Sequence, residues 1–389
     1  MKILFGFHYH DYPVDVAQEV EKYLDRIRPL GYEIVSFPLT LQPKGRKENW
    51  KVLDRKWKTG DRQLMAMYER LARALDGCDL FFNSGAINVH PDFLSQMTIP
   101  KVMAHFDDPE NAEDVSKPVA PHYDLCLVGN IAEVPTYKAW GAKRVSFWPI
   151  GFRQDDYDPR LTVEQILTGE RDVPLTMLCE RDHVWRRARL DAVASAFPEG
   201  RFHGLGWSAG FLPESERVPL LQRTKVGINI HNSTGPINVR TYALPANGVF
   251  QICDNKRHLG GIFELGTEVV GFDDIKEGIE LCRYYLEHEQ ERRMIAAAGF
   301  ERSMRDYNEK AIWQRAMGEI RGLLPLQGTR ARMDHLPIII QTRRDRTKIS
   351  SFLWKLIEPA QAQAVILKKK MRAVRRRLAR LLLGAPPRA

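Results

Sequence analysis

Short apolar runs alternate with stretches of helical spacing along the first 150 residues. Residues 3–7, 32–37, 79–83, 101–106, 123–128 and 144–148 read as strands, bounded by glycine, proline or polar residues. Residues 14–27 have helical spacing, with Gly31 as the stop. Residues 63–75 form an amphipathic helix through Leu64, Met67, Tyr68, Leu71 and Leu75. Residues 91–97 are helical, and 133–140 make a helix stopped by Gly141. Residues 39–60, with Trp50 and Trp57 among many charges, read as a loop and helix over the sheet edge. Strands that alternate with helices predict a parallel, doubly wound α/β sheet.

The second half continues the pattern. Residues 153–173 are charged, with a short helix at 163–167; 174–179 is a strand, followed by a helix over 184–197. Residues 226–230 form a strand ending in the polar run His231, Asn232, Ser233, and Gly235-Pro236 makes a turn. Residues 238–247 fit a short helix with Gly248 as its left-handed stop, and 249–253 a second buried strand closed by Asp254. In an open α/β sheet, ligands sit at the carboxyl ends of strands, against helix N-termini. Such a terminus suits a phosphate, and Arg240 in its first turn adds a fork of donors. Spacing alone leaves a second reading equally open, in which this is one more βα unit with a surface arginine.

Composition narrows the class. The chain has 389 residues, enough for two or three domains. No apolar run reaches the length of about 18 residues that a membrane-spanning helix needs. The first strand is too short for a signal sequence, so none is expected. Cys78, Cys126, Cys179, Cys253 and Cys282 lie in or beside apolar runs without a CxxC pair, which predicts buried free thiols in a reducing compartment.

The net charge of +9 is uneven. From 341 to 389, fourteen Lys or Arg stand against two acids, a balance of +12 that leaves −3 for the first 340 residues. A nearly neutral body argues against a nucleic-acid groove, so no nucleic-acid partner is expected. Within this tail, residues 361–383 read as one helix. Leu367, Met371, Val374, Leu378 and Leu381 form its stripe, and Lys and Arg fill the rest. An anionic membrane surface is favoured as its partner, because the polar face lacks acids for interhelical pairs. Pairing of two tails into a homodimer and packing on the protein's own body are the competing readings, and charge alone leaves nucleic acid open for the tail.

From Asn238 through Arg240, Tyr242, Leu244, Ala246 and Gly248 to Asp254, the sequence resembles the CgeB-type (spore-maturation) glycosyltransferases of the GT-B fold. The likeness continues through residues 262–274, the helix at 275–287 and residues 291–299. It implies two doubly wound Rossmann-like domains facing a cleft, followed by a basic amphipathic helix. The expected division is 1–150 (acceptor side), 151–323 (nucleotide-sugar side), 324–346 (linker) and 347–389 (tail). A helix at 313–323 is expected to cross back to the first domain. Two departures stand out. Ala243 replaces the Glu that holds the donor ribose in the family, and Gly235 stands where retaining relatives carry an earlier Glu. Alanine has no acceptor for a ribose hydroxyl, so either another group such as Glu268 takes that role, or the donor binds differently, or activity is lost.

The resemblance and the strand-end rule together name the site candidates. On the donor side they are Arg181, Arg186, Arg187, Gly204, Gly206, His231, Asn232, Asn238, Arg240, Thr241 and Glu268. For Arg181, Arg186 and Arg187 a solvated helix surface is the alternative. As catalytic base they are Asp107, Asp108, His8 and His10, since transfer requires an acceptor hydroxyl to lose its proton. Capping is the alternative for either Asp of Asp107-Asp108-Pro109, and a plain loop histidine for His8 or His10. Gly6, Ser84, Gly85 and Asn130 are expected to line the acceptor side.

The resemblance implies a hexosyltransferase-like enzyme of polysaccharide biosynthesis. It would use a nucleotide-sugar substrate, no bound cofactor and no metal, with inversion favoured because the retaining-type Glu pair is missing. The expected acceptor is a saccharide or a lipid-linked glycan. The expected place is the cytoplasm, peripherally on the inner face of the membrane. An inactive GT-B relative that binds a glycan or nucleotide, or a nucleotide-sugar isomerase, are the other readings.

Overall fold

The computed structural model describes residues 1–8, 16–41, 49–182 and 186–324, apart from the side chain of Arg257. The basic tail, its membrane and homodimer readings, and His10 lie outside the described residues.

The first sheet contains β1 (Lys2–Phe7), β2 (Glu33–Pro38), β3 (Leu80–Ser84), β4 (Lys101–His105), β5 (Leu125–Val128) and β6 (Val145–Phe147). All pair in parallel, in the order β2-β1-β3-β4-β5-β6. The second contains β7 (Val173–Leu178), β8 (Arg201–His203), β9 (Thr224–Asn229), β10 (Phe250–Cys253) and β11 (Val270–Gly271). It is also parallel, in the order β11-β10-β9-β7-β8. In both sheets the strand order reverses beside the first strand: between β1 and β3, and between β7 and β9. Those reversals open crevices at the carboxyl ends.

Side-chain alternation explains why a central strand such as β1 is apolar on both faces. In β1, Ile3, Phe5 and Phe7 join one apolar layer, while Leu4 joins another with Tyr68, Leu71 and Phe81. The helix Glu309–Arg321 leaves the second domain and completes the first layer. Its Trp313 is fully buried, with ring centroids 5.3 Å from both Phe82 and Trp148. Arg26 donates to Glu309 at 2.7 Å at the start of the same helix. The expected crossing helix is therefore present and begins at residue 309, four residues before its expected start.

Other boundaries shift by local chemistry. The helix Glu214–Arg223 is missing from the sequence expectations because it contains Pro219. The helix expected at 238–247 is the seven-residue Arg240–Ala246. All five cysteines are free and buried, as expected. Among the described residues no helix is long and apolar enough to cross a membrane.

Candidate functional site

The crevice between β7 and β9 gathers two arginines. Arg240 is half-buried; its Nε donates to Asn229 Oδ1 at 3.2 Å and one terminal nitrogen to the Leu178 carbonyl at 2.8 Å. Those acceptors end β9 and β7, so the guanidinium bridges the two strands. Asn229 is fully buried and held in turn by Asn238, whose Nδ2 donates to Asn229 Oδ1 at 3.0 Å. Asn229 escaped the sequence reading; its signal is an amide at the end of an otherwise apolar strand. The Asn238 side chain also accepts from the Thr241 N–H at 3.1 Å. It therefore occupies one of the free donors that a phosphate was expected to use at this helix start, and the arginines remain as the anion-binding groups.

Arg186 enters the crevice from the other side. It donates to the Glu180 carbonyl at 2.9 Å and the Ile230 carbonyl at 3.4 Å, and is 6% exposed. Its Nε is buried without a hydrogen-bond partner. Burial lowers the proton affinity of Arg240, and the nearby charge of Arg186 lowers it further. Among the described residues neither guanidinium is ion-paired with a carboxylate. Two desolvated cations this close favour an anion between them.

The neighbouring arginines do not join them. Arg181 donates to Asp191 at 2.7 Å and stacks over Trp207 at 5.2 Å. Arg187 faces Asp182 at 3.5 Å and Asp191 at 3.8 Å on the surface. Both thus stand in partly exposed ion pairs with Asp182 and Asp191. Gly204 packs on the Cys179 carbonyl, and a Cβ on Gly206 would stand 2.8 Å from the Asp182 carboxylate. These glycines close the loop after β8 onto the loop after β7, where Arg181 N–H meets Leu205 O at 2.8 Å.

His231 is not a free ligand group. Its Nδ1 lies 2.6 Å from Asp254 and its Nε2 lies 3.0 Å from the Thr241 hydroxyl, with 2% of the residue exposed. Burial is the largest influence and holds the imidazole below its usual range, against the pull of Asp254. Neutral His231 thus donates to Asp254 and accepts from Thr241, bracing β9 and β10. Ligand atoms of His231, Cys253 and Asp254 lie within 4.8 Å of one another. Arg189 donates to Asp254 at 3.2 Å, and Arg186 and Arg240 both oppose protonation of His231, so this corner already carries surplus positive charge. Asn232 is exposed. Glu268 accepts from the Glu264 N–H at 2.8 Å and faces Arg302 at 3.9 Å. It is thus engaged within the β10–β11 connection, with the Glu264 N–H and Arg302 as its partners.

On the first domain, His8 follows β1 and its ring covers Gly85, which follows β3. A Cβ on Gly85 would stand 2.6 Å from the imidazole, and φ is +101° there, a region that favours glycine. Ser84 beside it is partly exposed. These three lie at the carboxyl ends of the neighbouring strands β1 and β3. Gly6 does not join them: Gly6 lies within β1, where a Cβ would meet Leu39 at 2.8 Å. Asp107 is exposed, while Asp108 is 1% exposed. Asp108 accepts from Tyr137 at 2.6 Å and from Ser116, with His105 3.3 Å away. Burial works to raise its pKa, but those partners together hold it below the usual carboxylate range. Asp108 is therefore a buried structural hub, not an accessible base.

Asn130 joins the domains. It is 1% exposed, and its Nδ2 donates to Asp108 O at 2.9 Å and to Thr234 Oγ1 at 2.8 Å. Gly235 packs directly on Asn130 Oδ1, and a Cβ would collide with it. The glutamate that retaining relatives carry at Gly235 has no room here.

Residues 184–318 match the family model described as "Glycosyl transferase-like". No curated protein matches the chain. Among solved structures, the fold is similar to sucrose-phosphate synthase from Thermosynechococcus elongatus (TM-score 0.56, 13% identity, 83% of this chain and 98% of that one). It is similar to HepE of Anabaena in complex with UDP (TM-score 0.58, 14% identity, 83% and 100%). An alpha-glucosyltransferase in complex with UDP gives a TM-score of 0.53 at 11% identity, covering 82% and 100%. The fold is GT-B: two parallel-sheet Rossmann-like domains.

Proposed function

We propose that this GT-B protein is a glycosyltransferase that moves a sugar from a nucleotide donor to a glycan or lipid-linked acceptor. The observation that carries the reading is the pair Arg186 and Arg240 at the β7/β9 crevice, neither ion-paired with a carboxylate among the described residues. A nucleoside diphosphate leaving group develops negative charge as the glycosidic bond breaks. Two fixed guanidiniums answer that charge, and Asn229 and Asn238 hold one of them in place. The match of residues 184–318 to a glycosyl transferase-like family supports the same reading. So do the UDP and UDP-glucose bound in HepE structures of the same fold. Membership of the CgeB-type branch is part of the same proposal, supported by Asn238, Arg240, Gly248 and Asp254 in the sequence.

His8 is the base candidate that best fits the acceptor side, since it stands at the first-domain crevice and Asp108 is buried. Gly235 favours inversion, because the position leaves no room for a retaining-type carboxylate. The acceptor and a place on the cytoplasmic membrane face belong to the same proposal, with the basic tail as anchor. Liposome sedimentation with and without residues 341–389 tests the anchor: loss of pelleting on truncation supports it, and equal pelleting contradicts it.

Nucleoside diphosphate release from a panel of nucleotide sugars tests transfer. Release that depends on an added acceptor supports it; nucleotide binding without release under any acceptor favours the second reading, an inactive binding protein. Ala243 motivates that alternative: it is 9% exposed, inside an apolar cluster, and offers no carboxylate.

A further inference from the structure

The loop leaving β9 is tied to the opposite domain by polar side chains. Thr234 Oγ1 accepts from Asn130 and donates to Glu133 at 2.8 Å. Ser233 donates to Glu110 at 3.2 Å. Asn130 is fully committed, because its Oδ1 also accepts from the Ala132 N–H at 3.1 Å. The chain of bonds thus runs from the β4 loop, through Asn130 after β5, to the loop that precedes Arg240.

We propose that Asn130 is a positioning residue: it latches residues 233–235 onto the first domain and so sets the closed separation of the two crevices. The function of that closure rests on the nucleotide-sugar reading; the latch itself does not. Thr234 is exposed and Ser233 partly so, so water competes for these hydroxyls and the latch is releasable. Gly235 lets the loop seat, since any side chain there strikes Asn130 Oδ1. Closure brings the loop before Arg240 against the acceptor domain, and release frees the leaving nucleotide. Lids of this kind commonly govern product release.

A fluorophore pair on Lys138→Cys and Asp273→Cys, both exposed positions, reports domain separation, and the native thiols are buried. The full chain is measured first without nucleotide. Thr234→Val removes the hydroxyl at nearly constant shape, and the open-to-closed ratio should rise about thirtyfold, the effect of losing both hydrogen bonds of that hydroxyl, from Asn130 and to Glu133. Gly235→Ala should open the domains further by steric contact, while Thr234→Ser should behave as wild type. With UDP added, both opening variants should release it faster. Unchanged separation in Thr234→Val and Gly235→Ala overturns the latch, as does lowered thermal stability with no change in separation. If the variants open but wild type binds no nucleoside diphosphate, the latch stands and the functional reading fails.

Discussion

Asp107 and Asp108 are adjacent, yet one faces water and the other is sealed among Ser116, Tyr137 and His105. The motif was legible in the sequence, but the direction each carboxylate takes was not, because the chain leaves β4 in an irregular turn. The same holds for Arg186 and Arg187: one step around a helix start separates the crevice from the surface. Asp108→Asn should lower stability by about 3 kcal/mol, the cost of disturbing a buried charged hydrogen-bond hub. Chemical denaturation measures it, and a fully stable but inactive variant would contradict the structural assignment. His8→Ala should reduce kcat by about 10²–10⁴ while sparing nucleotide affinity, as expected for loss of a general base. Steady-state kinetics alongside nucleotide titration separates the two effects.

Individual elements were legible where burial on both faces gave an apolar run, as in Ile3–Phe7 of β1 and Leu80–Phe82 of β3. They were not legible where tertiary packing overrides propensity, as in the Pro219-containing helix. The pairing of β9 with β10 through His231 and Asp254 carries a pH dependence. The folded imidazole is depressed below 6.5, chiefly by burial. As pH falls through that value, the unfolded chain takes a proton that the fold refuses, so stability decreases. The slope approaches about 1.4 kcal/mol per pH unit for one proton. His122, also depressed by burial, acts with the same sign. Denaturation midpoints at about pH 7.5 and about 5.5 should diverge more in wild type than in His231→Gln; equal divergence would remove His231 as a cause.

For the molecule as a whole, alternation of strands and helices implied a parallel doubly wound sheet, while the two-domain layout and the crossing helix came from the family resemblance; that helix packs on the first domain through Ile312, Trp313, Ala316, Met317 and Ile320. The contact between domains was not legible, because Asn130, Thr234 and Gly235 are distant in sequence and none is apolar enough to mark an interface. That contact ties the loop after β5 of the first domain to the loop between β9 and Arg240 of the second. The central claim is that Arg186 and Arg240 hold the diphosphate of a nucleotide sugar. Calorimetric titration of UDP into wild type, Arg186→Lys and Arg240→Lys, each checked for an unchanged melting temperature, tests it most directly. Wild type should bind, and each lysine variant should bind about 10- to 100-fold more weakly, since a point charge cannot replace the fork of donors. Equal affinity in all three folded proteins would contradict the account.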